Sequence, residues 1–190
     1  MIKNLPNNIK IRLAEPQDRN QIFQLQIESI QILNSSDYDT RQIKALIDEK
    51  QLRYSLENKW GDVVFIAEAE DAIIGFSALS ADWINAVFVH PAYIRQGVGT
   101  KLLQALEEAA ISRNIKRISV MSSLTAQPFY QVCGYTIITR SFIIAIAGVR
   151  IPCFYMDKWL VSPSEEEKFL TDCTTTIIQV GQWLLSAIFP

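Results

Sequence analysis

The chain has 190 residues, with 18 Lys and Arg against 20 Asp and Glu, a net charge of −2, and no block of like charge. That balance argues against nucleic acid as a partner, which calls for a basic stripe or patch, and the length suits one domain with a full core plus a tail. No uncharged apolar run reaches the length of a bilayer and the start, MIKNLPNNIK, lacks an apolar signal region, so the expectation is a cytoplasmic protein without a membrane partner.

In chain order, residues 9 to 13 (IKIRL) alternate like a short strand, and Ala14-Glu15-Pro16 supplies a helix start with Asp18 in the first turn. The next helix shows an apolar stripe of Phe23, Ile27 and Ile30 and fades into LNSSDYDT. A second helical pattern runs from about Thr40 to Glu57, with Ile43, Leu46 and Ile47 on one face. From Val63 the period changes to that of strands. VVFIAEA and AIIGFSAL, separated by Glu70 and Asp71, read as a hairpin, and WINAVFV is a third strand. HPAYIRQGVGT then leads into a helix with Leu102, Leu103, Leu106, Ala109 and Ala110 on one stripe, followed by the strand KRISVMS. Strand, glycine loop, helix and strand make one βαβ unit. A short helix fits between Pro128 and Gly134, and YTIITRSFIIAI and VRIPCFYMDKWL flank Ala147-Gly148 as a closing hairpin. The fold class is therefore α/β, a mixed sheet with helices on both faces. Residues 1–160 form the domain and 161–190 a linker and amphipathic helix, with Ile177, Gly181, Leu184, Leu185 and Ile188 on a stripe that must be covered by its own domain or by a second copy in a homodimer.

Three cysteines, Cys133, Cys153 and Cys173, form no CxxC pair and suit a reducing compartment rather than a disulfide framework or a metal site. The glycine loop carries more. A glycine-rich turn opening a helix presents backbone N–H groups and a positive dipole end to an anion. A dinucleotide fingerprint needs glycine at position 102, which is Leu102, and a P-loop needs Gly-Lys-Ser/Thr where the order is Gly99-Thr100-Lys101, with Ile94 in place of the upstream glycine. Both fail. The segment RQGVGT is instead an R-x-x-G-x-G sequence, and PFYQVCGY, residues 128–135, is a Phe-Tyr-x-x-x-Gly-Tyr sequence. With these two motifs in this order of elements, residues 9 to 160 resemble the GNAT superfamily of acetyl-coenzyme A dependent N-acetyltransferases, as a single-domain, bacterial-type member.

The resemblance implies a mostly antiparallel sheet with a splayed central strand pair. It implies that the pantetheine arm of acetyl-CoA pairs with Val87, Phe88 and Val89, and that the diphosphate lies on the backbone of Gln96, Gly97, Val98, Gly99 and Thr100 with Arg95 beside it. The glycines would let the main chain approach the diphosphate. It implies direct attack of an amine on the thioester, with the N–H of Val87 or Val89 as oxyanion donor, Tyr130 as hydrogen-bond donor or general acid at the thiolate, and no metal. Relatives carry a glutamate on the strand before the loop, whereas Asn85-Ala86-Val87 has no carboxylate, which leaves Asp82, Glu68 or neither as the base. His90, the only histidine, reads as a turn residue, and with no G-x-S-x-G elbow a hydrolase is excluded. The acceptor segment would include Asp37, Tyr38 and Asp39, as a cation-binding patch or as a solvated loop. A non-catalytic acetyl-CoA sensor is the competing function.

Overall fold

The computed structural model describes residues 9–56, 61–171 and 173–176. Its sheet has seven strands, β1 (Lys10–Leu13), β2 (Val63–Ala69), β3 (Ala72–Ser80), β4 (Trp83–Val89), β5 (Arg117–Ser123), β6 (Thr136–Ile144) and β7 (Arg150–Trp159), in the order β1-β2-β3-β4-β5-β7-β6. Every neighbouring pair is antiparallel except β4 and β5. Both hairpins anticipated from the sequence are present. Glu70 and Asp71 at φ 50° and 61° make the mirror-image two-residue turn whose twist matches its strands, and Ala147 and Gly148 at 60° and 71° turn the second.

The helices are α1 (Arg19–Leu33), α2 (Thr40–Leu56), α3 (Val98–Ser112) and the short α4 (Gln127–Val132). Strand alternation sends successive side chains of β3 to opposite faces. Phe76 and Ala78 meet Ile22 and Leu25 of α1, while Leu79 joins Leu103 and Leu106 of α3 and Tyr130 of α4. So α1 covers one face, and α3 and α4 the other. The α2 helix packs Ala45, with Ile43 and Leu46, against Ala145, Val149 and Ile151 at the turn end of the β6–β7 hairpin.

The buried stripe of α1 is Ile22, Leu25, Gln26, Ser29 and Ile30, which keeps Ile30 of the expected stripe while Ile22 and Gln26 stand one residue before the half-buried Phe23 and Ile27. Phe23 turns sideways to stack on Tyr54 of α2 with ring centroids 4.2 Å apart. Below the start of α1, Arg12 donates two hydrogen bonds to the buried Asp18 carboxylate (2.7 and 3.0 Å), which also accepts from the Glu15 N–H at 2.8 Å. The guanidinium holds the Asp18 carboxyl below the usual carboxylate range. Residues 165–171 are helical, opened by Ser164 and Glu167 capping each other's N–H groups at 3.2 and 2.8 Å and tied to the β5 end by a 2.7 Å Lys116–Glu167 pair. The stripe from Ile177 to Ile188 lies outside the described residues. No helix among the described residues is long and apolar enough to cross a membrane.

Candidate active site

Strands β4 and β5 pair over only two residues, Trp83 and Ile84 at the start of β4 with Ser119 and Val120 in the middle of β5, and then diverge. Two features of β4 aim its backbone into the opening. A register shift opposite Ala78 and Leu79 makes Asn85 an extra, bulged residue, and bulges bend a strand and re-aim its later residues. Next, the His90 N–H bonds to the Ile74 carbonyl of β3 at 2.9 Å. Since N–H directions alternate along an antiparallel strand, Val87 and Val89 direct their N–H and C=O groups away from β3, toward β5. The Val89 carbonyl there accepts from the Ser29 hydroxyl of α1 at 3.0 Å.

The opening leads to the start of α3. Gly97 is its N-cap at φ 79°, a left-handed conformation that glycine adopts without strain, and a Cβ there would meet nothing within 4 Å. The first ladder bond runs from the Lys101 N–H to the Gly97 carbonyl at 3.1 Å, so the N–H groups of Val98, Gly99 and Thr100 precede the ladder. Gly99 is closely packed instead: a Cβ there would approach the Phe129 ring to 3.3 Å, a tight contact that the ring would have to yield to. Arg95 also adopts a left-handed φ, 62°, and is exposed. Gln96 turns back to donate to the Ala92 carbonyl at 3.0 Å, and the Val98 side chain is buried beneath the loop.

A single cavity of about 1270 Å³ joins these parts. Val87, Phe88, Val89, Arg95, Gly97, Gly99, Thr100 and Tyr130 all line it, whereas Gln96 and Val98 do not. Tyr130, 4% exposed, is wedged edge-to-face against Phe129 and Tyr135, each 5.2 Å away between centroids. Burial pushes its phenol well above the usual tyrosine range, and Cys133 adds to the shift. The Tyr135 hydroxyl, by comparison, is committed to Glu107 at 3.2 Å.

Other candidates take part in local structure, and of these Tyr38 also lines the cavity. Tyr38 is buried, donating to the Pro152 carbonyl at 2.7 Å and accepting from the Leu124 N–H at 2.8 Å, and burial raises its phenol to about 12. Asp39 caps α2 through the Gln42 N–H at 2.8 Å, and Asp37 accepts from Thr125 at 2.7 Å. Neither acid lines the cavity. His90 is a turn residue, its Nδ1 accepting from the Ala92 N–H at 3.1 Å while Nε2 faces Glu28 at 3.4 Å. Glu68 is paired with Arg12 at 3.3 Å and Asp82 is exposed in a turn, and neither lines the cavity. Among the described residues, Glu49 of α2 is the one carboxylate that lines it. Sequence reasoning passes it over because it belongs to no motif.

Known proteins share this fold. The acetyltransferase (GNAT) domain family matches residues 32–146. The chain is 29% identical over 152 residues, 79% of its length and 95% of the relative's, to YafP of Escherichia coli K12, an uncharacterized N-acetyltransferase. Among solved structures, a GCN5-related N-acetyltransferase from Rhodopseudomonas palustris superposes with a TM-score of 0.74 at 25% identity, covering 83% of this chain and 99% of that one. The PaiA N-acetyltransferase of Thermoplasma acidophilum, determined in complex with coenzyme A, shares the fold at a TM-score of 0.57 and 17% identity, over 80% of this chain and 99% of its own. With the family match spanning more than half of the sequence, and the splayed strands and glycine-opened helix in their expected places, the chain belongs to the GNAT family of acetyltransferases.

Proposed function

We propose that the protein moves an acetyl group from acetyl-CoA to a primary amine of a small molecule, peptide or protein by direct attack. The observation that carries this reading is the direction of the Val87 and Val89 backbone groups, into a gap where a strand is missing and which ends at the uncapped N–H groups of α3. A pantetheine arm has amide groups that can pair with such an edge, and its diphosphate suits the helix start. That PaiA carries coenzyme A on the same fold agrees with the placement.

In this reading the amine nitrogen attacks the thioester carbonyl, whose oxygen gains charge and is stabilised by a β4 N–H. Collapse breaks the C–S bond, yielding the amide, and the proton shed by nitrogen ends on the thiolate. Tyr130 serves the departing sulfur. Its raised pKa opposes full transfer to a thiolate whose ordinary value is about 8.5, so its role is to donate a hydrogen bond as charge develops on sulfur.

The competing reading, a non-catalytic acetyl-CoA sensor, draws support from the lack of a carboxylate on β4. Release of free thiol from acetyl-CoA in the presence of a panel of amines discriminates the two. Acetyl-CoA binding without thiol release from any amine would establish the sensor.

A further inference from the structure

We infer that the acceptor amine carries an aromatic body, which the sheet floor around Trp83 and Met121 receives on the α1–α2 side of the cavity. The inference rests on the transferase reading above and names its substrate class.

The sheet divides the cavity. The α3 start and α4 lie on one face and α1 and α2 on the other, with the β4–β5 gap between them. A donor whose diphosphate lies at the α3 start and whose arm fills the gap leaves the α1–α2 face to the acceptor. Cross-strand register fixes which side chains form the floor there, because paired residues, and residues two apart along a strand, project from the same face. Ile151 of β7 packs with Tyr38 and Ala45 and so belongs to the α2 face, and Cys153, two residues on, shares it. Cys153 pairs with Ser123 of β5, Met121 precedes that by two residues, and Ser119, two before Met121, pairs with Trp83 of β4. Trp83, Met121, Ser123, Ile143, Ile151 and Cys153 all line the cavity. None carries charge, since burial raises the Cys153 thiol to about 11. Among the described lining residues, every charged one belongs to α1, α2 or the donor loop. The floor is neutral and mostly apolar.

Trp83 is held in place from behind. Tyr155, which does not line the cavity, lies beside it with ring centroids 5.8 Å apart and planes within 11°, and the Tyr155 hydroxyl shares a 3.3 Å hydrogen bond with Ser119, the register partner of Trp83. A half-buried indole that is already ordered loses little freedom when a second ring stacks on it, and aromatic pairs attract beyond the area they bury. The Met121 thioether, on the same face one strand over, offers a soft, polarizable contact to the edge of such a ring. Trp83 and Val87 stand four residues apart on a bulged strand, about 10–13 Å. A ring seated on Trp83 therefore delivers its nitrogen to a thioester beside Val87 through a short alkyl arm.

The test offers phenylalkylamines with short arms, their cyclohexyl counterparts and butylamine, and measures thiol release from acetyl-CoA. The native protein should favour the phenyl series over butylamine by about tenfold or more in kcat/KM, and over the cyclohexyl series by about threefold or more. Trp83→Ala should raise KM for the phenyl series by about tenfold while leaving the kcat/KM of butylamine and the Kd of acetyl-CoA unchanged. Trp83→Phe should keep the native preference. If Trp83→Ala does not fold, as read by circular dichroism, Trp83→Leu makes the same comparison with an apolar side chain in place of the ring. Native preference for butylamine or for the cyclohexyl series, or a Trp83 variant that lowers kcat for every amine alike and leaves KM alone, would overturn the inference with the transferase reading intact. Thiol release from no amine would instead sink the transferase reading. Calorimetry of N-acetyl phenylalkylamines against N-acetylbutylamine on CoA-loaded protein then decides, with tighter binding of the aromatic amides supporting the Trp83 floor and equal affinities counting against it.

Discussion

Tyr130 and Gly97 carry the sharpest expectations for single residues. Tyr130→Phe keeps the ring between Phe129 and Tyr135 and removes only the hydroxyl. Turnover should fall by about 10²-fold with acetyl-CoA affinity unchanged, since in the role proposed for it the hydroxyl bonds strongly to sulfur only as the thiolate forms. Because burial raises the Tyr130 pKa, kcat should show no alkaline decline near pH 10 from this group, and stopped-flow turnover across that range checks it. At Gly97, Val should strongly weaken acetyl-CoA binding and Asn should do so far less, because Asn tolerates the left-handed φ of 79° and a β-branched side chain does not. If acetyl-CoA raises the melting temperature of Gly97→Val as much as that of the parent, the diphosphate does not lie there. Both residues are legible in the sequence because a backbone requirement and an aromatic motif leave local marks. Glu49 is not, since a charge on a helix looks the same whether it faces water or a cavity.

For the elements, legibility tracks periodicity. The strand pairs and α3 are readable because their apolar spacing is regular and their turns use left-handed residues such as Gly97 and Gly148. The α1 stripe reads one position late at Phe23 and Ile27 for a physical reason: two of its inward residues, Gln26 and Ser29, are polar and line the cavity, so hydrophobic spacing points away from them. The segment between α1 and α2 is fastened to the sheet by its own side chains, and Asn34 and Tyr38 within it also line the cavity. Tyr38 bridges β7 and the end of β5 by its two hydrogen bonds. Tyr38→Phe leaves the Pro152 carbonyl and the Leu124 N–H without that partner, and should cost about 1–3 kcal/mol in urea unfolding while leaving the donor affinity unchanged.

The molecule as a whole depends on acid-sensitive fastening near its first strand. The Asp18 carboxyl has a folded pKa below its unfolded value, so its contribution is present above about pH 4 and is lost as pH falls through the folded value. Chemical denaturation from pH 6 to 2 should show the parent losing stability over that acid range, with Asp18→Asn less stable at pH 6 and flatter below. The splayed strands have a mechanical consequence. With two residue pairs joining β4 to β5, the sheet is two panels, β1–β4 and β5–β7, hinged at one end and braced by the helices. In the proposed binding mode, a donor threaded between them would act as an eighth strand and lock the two panels together. Deuterium uptake at the amides of Val87 and Val89 should therefore be fast in the empty protein and slow once acetyl-CoA is added, while Phe88, already turned toward β3, changes little.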